Sequence, residues 1–119
     1  MSGRARVLVL DDEPALLDAL TEYLEERDFR VSAASDAAAA LGLIGGGGID
    51  IAIIDVGAHG LRVLREATTR NIPSILISGR PVILEIGGIG SILRKPFRFD
   101  VLIEMIEETL TGYSEPSVS

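Results

Sequence analysis

Five short apolar runs alternate with amphipathic segments along the chain. The first run, residues 6–10, is continuous and rich in Val and Leu, which is typical of a strand buried on both faces. Between the runs, apolar residues recur at the three- and four-residue spacing of a helix with one buried face. The pattern predicts strands at residues 6–10, 29–33, 49–54, 73–77 and 92–94.

Turn and cap residues indicate where the helices begin and end. Pro14 fits the first turn of a helix, and Ser35 or Asp36 can cap the second. Glycines at 45–48 would end that second helix after Ile44. A third helix is predicted at residues 61–70, and a last one is predicted to be capped by Asp100. Strands that alternate with helices imply a parallel sheet with right-handed crossovers and helices on both faces.

Polar residues follow four of the predicted strands at the point where each ends. Asp11 and Asp12 follow the first strand, and Asp55 follows the third. Ser78 follows the fourth, and Lys95, the one lysine beside ten arginines, follows the fifth. In parallel sheets, ligands bind outside the carboxyl ends of the strands. A compact ammonium suits a phosphate contact, so this edge predicts a metal-and-phosphate site.

Composition narrows the classes of function. A chain of 119 residues fits one domain. Its net charge of −7 argues against DNA binding, because a phosphate-backbone binder needs clustered Lys and Arg. Cysteine is absent, which excludes disulfides and thiolate metal sites, and no apolar stretch is long enough to span a membrane. The segment before the first strand is too brief for a signal peptide, so we expect a soluble cytoplasmic domain.

The motifs together resemble the receiver domain of two-component response regulators. They are Asp11-Asp12-Glu13-Pro14, Asp55, Ser78 and Lys95-Pro96-Phe97. The resemblance implies an α/β fold, a flavodoxin-like doubly wound parallel sheet of five strands in the order 2-1-3-4-5. It also implies that Asp55 accepts a phosphoryl group from a histidine kinase or a histidine phosphotransfer protein. The receiver would span residues 1–111, with a frayed tail at 112–119, and homodimer formation is left open.

The resemblance also assigns roles to the strand-end residues. A carboxylate nucleophile can form an aspartyl phosphate, whose oxygens carry charge that must be neutralised. Mg²⁺ takes oxygen ligands. The resemblance implies that Asp12 and Asp55 bind the ion directly, that Asp11 binds it through water, and that the backbone carbonyl of Gly57 is a further ligand. Ser78 would hydrogen-bond one phosphoryl oxygen, and Lys95 would pair with another. We expect self-phosphorylation and autodephosphorylation chemistry rather than that of a conventional enzyme.

The chain departs from the family pattern in three places. The segment after Asp55, residues 56–60, is shorter than usual and lacks the Met-Pro segment and the Asp-Gly pair. The interval from Ser78 to Lys95 is also short, so the family's fourth helix is expected to be short or missing within residues 80–90. Ile92 stands where the family carries an aromatic switch residue, and its apolar run predicts burial in the core.

Structural explanations stay open beside these functional ones. The acidic run 11–13 could simply favour a helix start through the macrodipole. Asp55 could be a turn aspartate, Ser78 part of a Ser-Gly turn, and Lys95-Pro96 ordinary punctuation after a strand. His59 is expected to be a solvated loop residue without a catalytic role.

The leading hypothesis is a stand-alone receiver that relays or buffers phosphoryl groups, because no output domain follows in this sequence. The competing hypothesis is a degenerate receiver that acts as a phosphorylation-independent protein-interaction module. Ile92 and the short segment 80–90 favour it. A phosphatase-type hydrolase fits poorly, since such enzymes place a second acid two residues after the nucleophile and Gly57 stands there.

Overall fold

The computed structural model describes residues 4–79 and 91–112. The strands are β1 (Arg6–Leu10), β2 (Arg30–Ala34), β3 (Ile51–Asp55), β4 (Ser74–Ser78) and β5 (Ser91–Arg94). The helices of this part of the chain are α1 (Pro14–Glu26), α2 (Ala37–Gly45), α3 (Gly60–Thr69) and α4 (Phe99–Thr111), with a short 3-10 helix at Val56–Ala58. All five strands are parallel, in the order β2-β1-β3-β4-β5. This arrangement confirms the predicted flavodoxin-like sheet.

Side chains alternate between the two faces of the sheet, and each face carries its own helix pair. Val7 and Val9 of β1 pack into a core shared with α1 and α4. Leu8 and Leu10 point the other way, into a core shared with α2 and α3. Every residue of β3 and of β4 is buried between these two layers. The continuous apolar runs of the central strands therefore reflect burial on both faces.

Two predicted helix starts are confirmed and one is wrong. Pro14 opens α1, and the Asp36 side chain caps α2 by accepting a hydrogen bond from the Ala39 N–H at 2.8 Å. Asp100 does not cap α4, which begins at Phe99 with Arg98 as its N-cap residue. Asp100 lies in the first turn, paired with Arg98 at 2.8 Å. The earlier start places the Phe99 ring against Tyr23, with 5.1 Å between ring centroids.

The predicted burial of Ile92 is also wrong, because its side chain is 43% exposed. β5 pairs with β4 and alternates between half-buried and exposed residues. Its pleat directs Leu93 towards the α1 and α4 core and Ile92 to the opposite face. The expected short or missing helix of residues 80–90 lies outside the described residues, as does most of the tail predicted at 112–119.

Within 4–79 and 91–112, none of the helices combines the length and the apolar character needed to cross a bilayer.

Candidate functional site

Asp11 and Asp12 directly follow β1, and their side chains lie in different environments. Asp11 is only 1% exposed, and its Oδ1 accepts a hydrogen bond from the Glu13 N–H at 2.9 Å. The backbone N–H of Asp11 donates to the carbonyl of Ala34 at 3.1 Å, which ties this turn to the end of β2. Asp12 is exposed. The turn therefore holds one carboxylate inside the sheet edge and offers the next to solvent.

Asp55 is the last residue of β3 and is 4% exposed. Its Oδ1 accepts a hydrogen bond from the Gly57 N–H at 2.9 Å, which fixes one carboxylate oxygen. Gly60 starts α3 directly against this strand end: a Cβ at Gly60 would lie 2.3 Å from the Asp55 carbonyl oxygen. Any larger residue would push α3 away from the site, so the close approach requires glycine.

Lys95 reaches the two buried acids from beyond β5. Its backbone N–H donates to the Ser78 carbonyl at 2.8 Å, and a cis peptide bond joins it to Pro96. Its Nζ lies 3.1 Å from Asp11 Oδ2 and 3.3 Å from Asp55 Oδ2. A third contact, 3.0 Å to Glu13 Oε1, is the shortest of the set. The ammonium thus sits within hydrogen-bonding distance of three carboxylates.

Burial and charge change the proton affinity of this group of residues. Burial raises the pKa of the Asp55 carboxyl above its ordinary value, and the Asp11 charge adds to this, while the Gly57 N–H and Lys95 oppose it. Burial by itself lowers the pKa of Lys95, but the hydrogen bond to Glu13 and the charges of Asp55 and Asp11 raise it above its ordinary value. Lys95 therefore stays protonated beside a carboxylate that is costly to ionise.

Ser78 and Gly57 complete the predicted set. Ser78 ends β4, is 4% exposed, and lies opposite Arg94 in the β4–β5 register. Gly57 lies in the 3-10 helix that follows Asp55 and is exposed. All six predicted residues therefore lie at the carboxyl edge of the sheet. Direct polar contacts join five of them: Asp11, Asp55, Gly57, Ser78 and Lys95.

A family model for the response regulator receiver domain matches residues 7–107. The chain belongs to the response regulator receiver domain family. The recognition made from the strand-end motifs is therefore confirmed.

Curated relatives show the same membership at moderate identity. The chain is 32% identical to the regulatory protein VirG of Rhizobium rhizogenes, over 76% of this chain and 42% of VirG. It is 28% identical to the heme response regulator HssR of Staphylococcus saprophyticus, over 90% of this chain and 52% of HssR. It is 29% identical to the transcriptional regulatory protein FixJ of Bradyrhizobium diazoefficiens, over 92% of this chain and 58% of FixJ. The receiver spans about half the length of these relatives.

Solved receiver structures superpose closely on this one. A CheY-like receiver protein of Methanospirillum hungatei has a TM-score of 0.82 at 26% identity, covering 91% of this chain and 94% of the other. A receiver of Sinorhizobium medicae has a TM-score of 0.81 at 29% identity, covering 91% of this chain and 95% of the other. TrrA of Thermotoga maritima, solved with Mg²⁺ and BeF, has a TM-score of 0.77 at 28% identity, with 88% and 98% covered.

The acidic edge of this receiver fits a hard divalent cation. One oxygen from each of Asp11, Asp12 and Asp55 lies within 4.8 Å of the others. Asp11 Oδ2 is buried and, in the described part of the chain, accepts no hydrogen bond of good geometry, although the Lys95 ammonium is close. Carboxylate oxygens at this spacing are the ligands that Mg²⁺ takes. Receivers bind Mg²⁺ at such an acidic site, and the donor set here is suited to it.

Two open clefts flank the site. One, of about 400 Å³, is lined by Glu13, Leu16, Gly79, Lys95, Pro96, Phe97 and Phe99. The other, also about 400 Å³, is lined by Val56, Gly57, His59, Leu61, Arg62 and Arg65. His59 is exposed at the start of α3 and its side chain caps nothing, in keeping with the solvated loop residue that was expected.

Glu13 is the site residue whose contact the sequence did not reveal. The sequence shows it only as part of an acidic run, yet its side chain makes the shortest contact to the Lys95 ammonium. The two residues are 82 positions apart. Only the fold brings them together, so local sequence pattern carries no signal for this pair.

Proposed function

We propose that this receiver accepts a phosphoryl group on Asp55 from a histidine kinase or a histidine phosphotransfer protein. The observation that carries the proposal is the placement of the Asp55 carboxylate beside Asp11, Asp12 and the Lys95 ammonium. It combines a nucleophile, a cation-binding acid pair and a fixed positive charge within a few bond lengths. Phosphoryl transfer needs this combination, because catalysis rests on positioning and on neutralising charge.

The transfer step follows from the roles of these groups. A carboxylate oxygen of Asp55 attacks phosphorus and forms the new O–P bond, while the P–N bond to the donor histidine breaks. Its electron pair returns to the imidazole nitrogen. In the proposed arrangement Lys95 binds one phosphoryl oxygen and the Ser78 hydroxyl another. Asp12 and Asp55, Asp11 through water and the Gly57 carbonyl would hold Mg²⁺, which when bound supplies further positive charge to the phosphoryl oxygens.

The cleft beside Lys95 supports docking of a protein donor. Its lining combines apolar side chains (Leu16, Pro96, Phe97 and Phe99) with the charged groups Glu13 and Lys95. Apolar surface next to the reacting groups can seat a partner's side chains while the phosphohistidine reaches Asp55. The relay or buffering role of a stand-alone receiver stays a prediction beyond this step.

A second candidate function is a phosphorylation-independent interaction module. It is favoured by the exposed apolar side chains Ile92 and Val101, which are 43% and 37% exposed. Large apolar side chains that are exposed to solvent can belong to a protein-interaction surface. This candidate keeps the acidic edge for structure and needs no transfer to Asp55.

Intact mass after incubation with Mg²⁺ and a small phosphoryl donor separates the two functions. The wild type should gain the mass of one phosphoryl group, and Asp55→Asn should gain none. Asp18→Asn, a matched acid-to-amide change on the exposed face of α1, should label like the wild type. Lys95→Ala should still label but lose the structural response. An unlabelled wild type would favour the interaction module, and a labelled Asp55→Asn would move the nucleophile elsewhere.

A further inference from the structure

The ammonium of Lys95 is already surrounded by carboxylates, because it donates hydrogen bonds to Glu13 and Asp55 and forms an ion pair with Asp11. A lysine ammonium carries three N–H groups. Three carboxylates surround it, with Glu13 Oε1 at 3.0 Å, Asp11 Oδ2 at 3.1 Å and Asp55 Oδ2 at 3.3 Å. A phosphoryl oxygen can therefore bind Lys95 only if one of these three contacts is given up.

Burial decides which contact is released most easily. The side chains of Asp11 and Asp55 are 1% and 6% exposed, and each is fixed by a further hydrogen bond from a backbone N–H. The Glu13 side chain is 62% exposed. Leaving a buried carboxylate without its partner is costly, whereas an exposed one regains water. Glu13 is thus the partner that Lys95 can lose at the smallest cost.

The position of Glu13 in the chain points to the same role. Glu13 is the N-cap residue of α1, where Ser, Thr, Asp or Asn usually caps the helix through its side chain. The Glu13 side chain makes no cap hydrogen bond and reaches across to Lys95 instead. Its contribution to the site is therefore separable from the stability of α1, and Pro14 still starts the helix after a substitution.

We propose that Glu13 is a positioning residue that holds the Lys95 ammonium in the unphosphorylated receiver and is exchanged for a phosphoryl oxygen when Asp55 is modified. The proposal rests on the phosphoacceptor function above. Glu13 competes with the phosphoryl group for one donor of Lys95, so it weakens binding of that group. Its hydrogen bond also holds the ammonium beside Asp55 before transfer.

Binding of beryllofluoride, a phosphoryl mimic, at saturating Mg²⁺ tests the exchange. The amide signal of Gly57, next to the nucleophile, reports the binding. Glu13→Gln should bind the mimic about two- to fivefold more tightly than the wild type, since exposed ion pairs are worth that much. Glu22→Gln, the same change on an exposed α1 position, should bind like the wild type. Equal affinity for Glu13→Gln and wild type would overturn the proposal.

Glu13→Asp separates the contact from the charge. Aspartate keeps the negative charge, but its shorter side chain can cap α1 and withdraws from Lys95. It should therefore tighten mimic binding as Glu13→Gln does. If Glu13→Asp behaves like the wild type while Glu13→Gln binds more tightly, a general charge effect explains the result and the positioning role is wrong.

A second readout uses the fact that Lys95 is the one lysine of the chain. Selective ¹⁵N labelling of lysine gives a single ammonium signal. In the metal-free receiver that signal should shift in Glu13→Gln and stay in place in Glu22→Gln. An unchanged signal in Glu13→Gln overturns the contact itself. If the signal shifts but the wild type neither binds the mimic nor labels on Asp55, the contact stands, while the phosphoacceptor function and the exchange built on it both fail.

Discussion

β3 and β5 belong to the same sheet but differ in how firmly they are held. All five residues of β3 are buried between the two helical layers. β5 has no fully buried residue and alternates between half-buried and exposed positions. Both strands deliver a site residue, Asp55 at the end of β3 and Lys95 after β5. The site thus joins the proposed nucleophile, on a fully buried strand, to a lysine that follows a more weakly packed one.

This difference separates two tasks within one site. In the proposed function Asp55 needs a fixed position, because phosphoryl transfer depends on alignment with the donor. Lys95 needs some freedom there, because the proposed exchange requires it to change partners when a phosphoryl oxygen arrives. A weakly packed strand can move at small cost in packing energy, whereas a buried strand cannot. We therefore expect perturbations at β3 to affect stability and transfer together, and perturbations at β5 to affect the response alone.

The largest expected effect is the contrast between Ile53→Ala on β3 and Ile92→Ala on β5. Ile53 is fully buried, so its truncation should lower the free energy of unfolding by about 2–5 kcal/mol. Ile92 is 43% exposed, so its truncation should cost no more than about 1 kcal/mol. Urea unfolding of both variants measures the difference. Equal losses would show that β5 is packed as firmly as β3 and would remove the contrast.

The contrast also explains what sequence could and could not predict. Apolar runs that end in acid predicted that Asp11 and Asp55 lie at one edge of the sheet, because parallel strands bring their carboxyl ends together there. The burial of Ile92 was mispredicted, because a short apolar run does not reveal which face a strand at this position buries. The cap of α4 was misplaced at Asp100: the helix begins earlier, at Phe99, whose ring packs on Tyr23. The contact of Glu13 with Lys95 depends on the completed fold.

Mg²⁺ binding at Asp11, Asp12 and Asp55 should raise the free energy of unfolding, by somewhat less than the largest loss expected for Ile53→Ala. Saturation at one hundred times the dissociation constant adds about 2.7 kcal/mol to the free energy of unfolding. The carboxylates of Asp11, Asp12 and Asp55 repel one another until a cation arrives. Thermal melts with and without millimolar Mg²⁺ should therefore differ for the wild type and for Asp18→Asn, and coincide for Asp12→Asn. Coincident wild-type melts would contradict a metal site at this edge.

A smaller effect should appear in the pH dependence of the folding stability of the metal-free receiver. Burial raises the pKa of Asp55 in the folded state above its ordinary value of 3.8. The folded state then binds a proton more tightly than the unfolded state, so this group stabilises the receiver below pH 3.8 and loses that contribution as pH rises through the raised value. Asp55→Asn cannot ionise and should escape the loss.

Thermal melts in a chelator test this linkage across pH. Asp55→Asn should melt a few degrees above the wild type at neutral pH, and the two should converge in acid. Asp18→Asn, on the exposed face of α1, should not show this pattern. A midpoint for Asp55→Asn below that of the wild type at neutral pH would mean that the contact with Lys95 outweighs burial.

The smallest expected response lies on the β5 side, in α4. The resemblance to the family implies an aromatic switch residue three positions before the lysine, where this chain has Ile92. Its β-branched side chain is stiff and lacks a polar tip, and it is already partly exposed, so it has no buried hydroxyl to exchange for a solvated one. A ligand shifts an equilibrium only through its differential affinity for two states, so a missing second state gives a weak response.

Beryllofluoride with Mg²⁺ should shift amide signals near Asp55 and Ser78 strongly, and those of residues 101–110 only slightly. Large shifts along residues 101–110 would show that α4 still responds to the phosphoryl mimic without an aromatic switch residue. The exchange of Glu13 at Lys95 would then be the first candidate for the cause of that response.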